Sequence, residues 1–300
     1  MAESRKIMLH HTRNDSKKHK TEIIMKSRTI PLLLILLVSA FACKKEPDLT
    51  LVEETVFEGS AIRSIAIDAD WDVELVCSET PRVELSYSKC LEKGISADLN
   101  NGKLSLWLDY STPFPSGATM KAVVYTNEIN SLTMDYSSIV FKGTFSTSKL
   151  SVQLKNNSSC SQLCADIVTD CEITLDKTSV FSDCNVVCAK AMVTATNSSR
   201  VTGTIAPTDS LNVELNNNSR FVNYQAETHV VKAKLVSSSL MNIIQSPTQN
   251  LDIELVASEA SVNVNGNITG SLTESSTLYY KGVADLSGLD VSSDSETIQL

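Results

Sequence analysis

The sequence predicts an all-β protein built as a single-stranded parallel β-helix, a solenoid whose coils take about 20 residues each. Three observations predict it. An apolar column recurs at steps of 20 or 21 as Leu132, Val152, Ile173, Val193, Val213, Ala233 and Ile253. A second runs two places later as Met134, Leu154, Leu175, Ala195, Leu215, Leu235 and Leu255. Four places further on stands serine, at Ser138, Ser158, Ser179, Ser199, Ser219 and Ser239. So short a unit cannot bury an apolar face by itself, and it becomes stable only by stacking on copies of itself.

Within each unit apolar and polar residues alternate, as in Leu211-Asn-Val213-Glu-Leu215, which is the period of a strand. Neither a 3.6-residue period nor a leucine-rich consensus appears, so helical and leucine-rich solenoids are set aside. Coils stacked about 4.8 Å apart would give a rod of roughly 30 to 35 Å for the regular part. The serine column is expected at a turn, where a small hydroxyl bonds nearby backbone.

The first 42 residues read separately. Met25-Lys-Ser-Arg28 is a basic start, Ile30 to Val38 a short apolar run, and Ser39-Ala-Phe-Ala42 a small-residue stretch before Cys43. Together they predict a lipoprotein signal peptide over 25–42, with Cys43 acylated as the mature N-terminus, in preference to plain secretion or a retained membrane helix. Phe41 departs from the small residue usual at that place. Residues 1–24 are polar and basic and fit no export signal, so Met25 is read as the true start; the other reading is a long charged n-region. Residues 43–55 form a tether, and 56–300 the folded domain.

Removing residues 1–42 takes away 8 of 26 Lys and Arg but only 3 of 35 Asp and Glu, leaving a net charge of −14. Such a chain repels phosphate backbones, which excludes nucleic acid as a partner, and it is held at the membrane by the lipid on Cys43.

From Val56 to Asn130 the period is lost, yet strands remain dense: 65–67, 72–76, 82–86, 104–108 and 121–125. Asn100-Asn-Gly102 is a hairpin signal, and Ser78-Glu-Thr-Pro-Arg82 a turn. The stretch is expected to be an N-terminal β cap with hairpins that covers the open end of the rod.

The segments Asp72-Val-Glu-Leu, Pro81-Arg-Val-Glu-Leu, Asn101-Gly-Lys-Leu-Ser-Leu, Lys121-Ala-Val-Val-Tyr, Ile129-Asn-Ser-Leu-Thr, Ser137-Ser-Ile-Val-Phe-Lys-Gly143 and Leu278-Tyr-Tyr-Lys-Gly282 carry a resemblance. The chain resembles the putative auto-transporter adhesin, head GIN domain family, a domain of unknown function in surface lipoproteins of Bacteroides-type bacteria. The resemblance covers about residues 57–300 and implies a right-handed β-helix at the cell envelope, with no catalytic residues to carry over; the expected address is the outer membrane or cell surface, a periplasm-facing placement being the other reading. Glycine is scarce in the turns here; Asn156-Asn157, Asn197 and Asn216-Asn217-Asn218 stand in its place, and asparagine tolerates left-handed backbone.

An enzyme on this scaffold would need carboxylates gathered in one outward register. Asp135, Asp166, Asp170, Asp176, Asp183 and Asp209 fall at scattered places in the unit, and His229 is the lone histidine after residue 42, read as a solvated residue at a turn. No catalytic residue, metal ligand or cofactor is assigned. The candidate binding face, for a protein or glycan ligand, is the outer pair of columns holding Glu214, Lys234 and Glu254, and Asn212, Lys232 and Asp252; the plainer reading is cross-strand charge pairing on a solvated sheet. Trp71 and Trp107 are placed in the core of the cap. Of the seven cysteines after Cys43, Cys164 and Cys184 are 20 apart and are expected to stack as a disulfide, Cys171 to fill an apolar site equivalent to Leu150, Ala191 and Leu211, and the two Cys-x3-Cys pairs are not read as zinc knuckles.

Overall fold

The structure is a computed structural model that describes residues 46–300. The N-terminal extension, the signal peptide and Cys43 lie outside the described residues. Apart from one short 3-10 turn at Lys89–Leu91 the regular elements of the described chain are all strands, wound as a parallel β-solenoid of about 8 turns.

The two apolar columns pair coil to coil as the repeat requires. Leu132, Val152, Ile173, Val193, Val213, Ala233 and Ile253 are consecutive partners in parallel register. All seven are buried. A third inward column follows the turn: Ile139, Cys160, Phe181, Val201, Phe221, Met241, Ala260 and Leu278. Each fully buried Val, Leu, Ile, Phe or Met in these columns is worth about 1.5–3 kcal/mol of transfer free energy, which is how such short coils hold together.

Between the second and third columns the chain turns through two successive left-handed residues and then a buried serine. Asn156 (φ 49°) and Asn157 (φ 61°) precede Ser158, and Asn217 (φ 52°) and Asn218 (φ 63°) precede Ser219. The serine hydroxyl donates back to a carbonyl of its own turn, Ser219 to Asn216 at 2.7 Å and Ser239 to Val236 at 2.8 Å. It also accepts from the neighbouring coil, since the Ser137 N–H reaches Ser158 Oγ at 3.3 Å and the Ser239 N–H reaches Ser258 Oγ at 3.3 Å. The buried column therefore begins at Ser137. Ser138 pairs instead with Ser159, because the coil between them runs 21 residues.

The N-terminal part is built from β1 (Leu51–Val56), β2 (Ser64–Asp68), β3 (Asp72–Cys77), β4 (Arg82–Ser88), β5 (Ile95–Asn100), β6 (Lys103–Leu108), β7 (Met120–Thr126), β8 (Ser131–Asp135) and β9 (Ser138–Lys142). β2 and β3 form a coil on which β8 and β9 stack in parallel. On its other side lie β6 and β7, also parallel to β2 and β3. Space and sequence thus disagree here: the outermost layer comes later in the chain than the coil it covers. β4 runs antiparallel to β7 and carries β1 on its outer edge, while β5 closes a hairpin on β6. The hairpin turns at Asn101 (φ 50°) and Gly102 (φ 77°), the doubly left-handed geometry that Asn-Gly favours. β1 begins at Leu51, inside the stretch expected to be a tether.

Candidate binding surfaces

Because strand side chains alternate, the inward columns fix two outward ones between them. Asn212, Lys232 and Asp252 are successive partners, and so are Glu214, Lys234 and Glu254. With Met192, itself exposed, they line one shallow depression on the flank of the rod. Lys234 Nζ lies 2.9 Å from Glu254 Oε1, with both groups about half exposed, a pair of the sort worth at most about 1 kcal/mol. The face is flat, polar and internally compensated in charge.

The cap carries a second surface. Leu104, Leu106 and Leu108 on β6 face the core, so Ser105 and Trp107 between them face out. The indole is 43% exposed, which corrects the expectation that Trp107 is core; Trp71 is buried as expected. A groove over the β5–β6 hairpin is lined by Trp107, Asp98, Leu99, Asn100, Lys103 and Ser105. The parallel pairing of β2 with β6 ends at Ile67 and Leu106, one residue before Asp68 and Trp107 on their strands. Asp68 accepts the phenol proton of Tyr110, and the carboxylate raises the Tyr110 pKa to about 12.

Asp68 pairs across the coils with Asp135, so two carboxylates do share an outward register. The scan of aspartates in the regular repeat could not find this, since β2 and β8 are far apart in sequence. Asp135 accepts from Asn156 Nδ2 at 2.6 Å. Asp176 accepts from Asn197 Nδ2 at 2.6 Å and from Thr196 Oγ1 at 2.8 Å, and these donors hold its carboxyl below the usual range. His229 is exposed on the strand Thr228–Val236 and not at a turn. Among the described residues no group of three or more His, Cys, Asp or Glu is placed to hold a metal ion.

The Cys164–Cys184 bridge does not form in this structure. Cys164 lies opposite Asn185 and Cys184 opposite Gly203, and both are free thiols. The local coil is 21 residues long, so a spacing of 20 misses the register by one and turns one side chain to the other face. Cys171 is buried, flanked by Leu150 and Ala191 with Leu211 beyond. Cys160, Cys184 and Cys188 are also buried. Burial pushes the Cys184 thiol up to about 12 and Cys188 to about 11, with Asp170 adding to the latter.

Residues 62–284 match the family described as "Putative auto-transporter adhesin, head GIN domain". The chain belongs to this family. The match opens just ahead of β2 and closes after the strand Thr277–Lys281, so it spans the cap without β1 and the regular coils up to that strand. Among solved structures, this head GIN domain is similar to a putative adhesin from Parabacteroides merdae, with 11% identity and a TM-score of 0.60 over 84% of this chain and 96% of that one. A putative lipid binding protein from Parabacteroides distasonis gives 12% identity and a TM-score of 0.59 over 85% and 98%. A putative adhesin from the same organism gives 9% and 0.53 over 85% and 96%. At such identities the likeness is one of fold. No curated protein matches the sequence.

Proposed function

We propose that this head GIN domain protein is exported, processed before Cys43, held at the outer membrane or cell surface by acyl chains on Cys43, and acts there as an adhesin-like binder without turnover. The observation that carries the reading is the rod itself: a rigid stack whose outward columns, such as Glu214, Lys234 and Glu254, present a flat and charge-compensated sheet to a partner. The family description and the adhesin-like neighbours support a binding role. Lipid binding, as named for one neighbour, would need an apolar hollow, whereas the interior here is filled by Phe141, Phe145, Phe181 and Phe221.

A carbohydrate-active enzyme is the second reading, favoured by the in-register Asp68 and Asp135. Against it, each carboxylate is engaged by a protein donor, Tyr110 and Asn156, in place of an open site between them. The test expresses the full chain in a Gram-negative host with labelled fatty acid. Label should enter the wild type and not Cys43→Ala, and protease added to intact cells should cleave the wild-type rod. Labelling that survives Cys43→Ala overturns the anchor, and polysaccharide turnover lost in Asp68→Asn or Asp135→Asn overturns the non-catalytic reading.

A further inference from the structure

We infer that the groove over the β5–β6 hairpin is a binding site for a neutral glycan, with Trp107 as its stacking platform. The inference rests on the proposed binding role and gives that role a place and a ligand class.

The groove holds one aromatic surface, Trp107, with Leu99 also in the lining, among hydrogen-bonding groups of mixed kind. Asp98 offers an acceptor, oriented by Ser96 Oγ at 3.1 Å from its Oδ2. Lys103 offers donors, and Asn100 and Ser105 offer both. The pairings Asn100 with Lys103, Asp98 with Ser105 and Ser96 with Trp107 put these side chains on one face in three adjacent rows. Just past the end of the β2–β6 pairing, Asp68 accepts a hydrogen bond from the hydroxyl of Tyr110, whose side chain is 72% exposed.

A pyranose matches this layout. Its apolar C–H face covers an indole, and its ring of hydroxyls meets donors and acceptors at the same time. Other ligand classes fit less well. A nucleic acid or a polyanionic glycan would be repelled by Asp98, Asp68 and the acidic chain as a whole. A protein partner of standard size covers about 800 Å² and needs an apolar centre, and here the apolar lining is limited to Trp107 and the half-buried Leu99. Trp107 stands outside the core column of this strand, which Leu104, Leu106 and Leu108 supply, and keeps 43% of its surface open to solvent.

The two tryptophans make the test direct, because Trp71 is buried and Trp107 is 43% exposed. The full chain is probed with neutral gluco-, galacto-, manno- and N-acetylhexosamine oligosaccharides, reading protection of fluorescence from acrylamide and retention on the immobilised glycans. At least one neutral series should protect the exposed indole saturably. Trp107→Ala should weaken retention at least about ten-fold, Trp107→Tyr should keep most of it, and the melting temperature of both should match wild type. Retention unchanged in Trp107→Ala, binding confined to acidic glycans, or no protection by any neutral series overturns the site. Attachment of cells displaying the full chain to a host-protein surface is measured alongside. Attachment that persists in Trp107→Ala and is lost in Lys232→Glu/Lys234→Glu would leave the adhesin-like reading standing while the glycan site falls; no attachment and no glycan retention would remove both.

Discussion

The side chain of Asn223 takes the place of a strand residue opposite Ile205. Its Oδ1 accepts the Ile205 N–H at 2.7 Å and its Nδ2 donates to the Ile205 carbonyl at 2.9 Å, both inside the rod. The main chain leaves the ladder at this point, turning out at Tyr224 and Gln225 (φ 53°), and the carboxamide restores the pairing that the backbone gives up. Asn223→Asp removes the donor and buries a carboxylate, while Asn223→Leu leaves both Ile205 groups unpaired. Each should cost about 2–4 kcal/mol in urea unfolding, with Asp the worse. A change under about 0.5 kcal/mol in either would show that the ladder closes without the side chain.

The coil register is tested at neighbouring residues of opposite facing. Val213 is buried and Glu214 exposed. Val213→Asp should lower stability by several kcal/mol, whereas Glu214→Gln should stay within about 0.5 kcal/mol. Equal denaturation midpoints would contradict the register.

The turn asparagines are tested at Asn217, whose φ is 52° and whose Nδ2 donates to Asn197 Oδ1 at 3.0 Å on the exposed side. Asn217→Gly keeps the left-handed backbone and should change stability by no more than about 0.5 kcal/mol. Asn217→Val forces a β-branched residue into that region and should cost about 1–2 kcal/mol. Calorimetric melting of the two variants side by side separates backbone strain from loss of the ladder bond.

Thiol chemistry gives a pH-dependent prediction. In the Cys43→Ala chain, half-buried Cys77, Cys90 and Cys164 should react with a thiol reagent under native conditions, and Cys160, Cys171, Cys184 and Cys188 only on unfolding. Burial raises the Cys188 thiol from 9.0 to about 11. Above pH 9 the unfolded chain loses that proton first and so binds fewer protons than the fold; stability from this group is complete below 9 and falls as pH rises toward 11. The urea midpoint should therefore drop over that interval more steeply in wild type than in Cys188→Ala.

The regular part of the fold was legible because its residues obey one period. Val213 and Leu215 sit where the columns place them, and the alternation that exposes Glu214 also exposes Lys234 and Asp252. Where a coil takes 21 residues the same reasoning slips by one, and that is why Ser138 stands outside the buried column and Cys164 misses Cys184. Trp107 was misplaced for a different reason. The string Leu104-Ser-Leu106-Trp-Leu108 alternates, and its parity points the indole outward, against the general tendency of so large an apolar side chain to be buried. The hairpin neighbours of Trp107 follow from the Asn-Gly turn, whereas β2 comes alongside β6 only through a pairing that runs out of sequence order.

That inverted order has a consequence for how the protein is made. Most coils need only their predecessor, some 20 residues back, to close a ladder, a cheap step in loop entropy. β2 has no such neighbour at hand: one edge waits for β6 and the other for β8. On the export route proposed above, a chain threaded across a membrane from its amino end delivers β2 long before either, so its first coil stays open while translocation continues. The part that emerges earliest is then among the last to become protected from proteases, and damage to the cap would be felt as poor survival during export more than as a softer rod afterward.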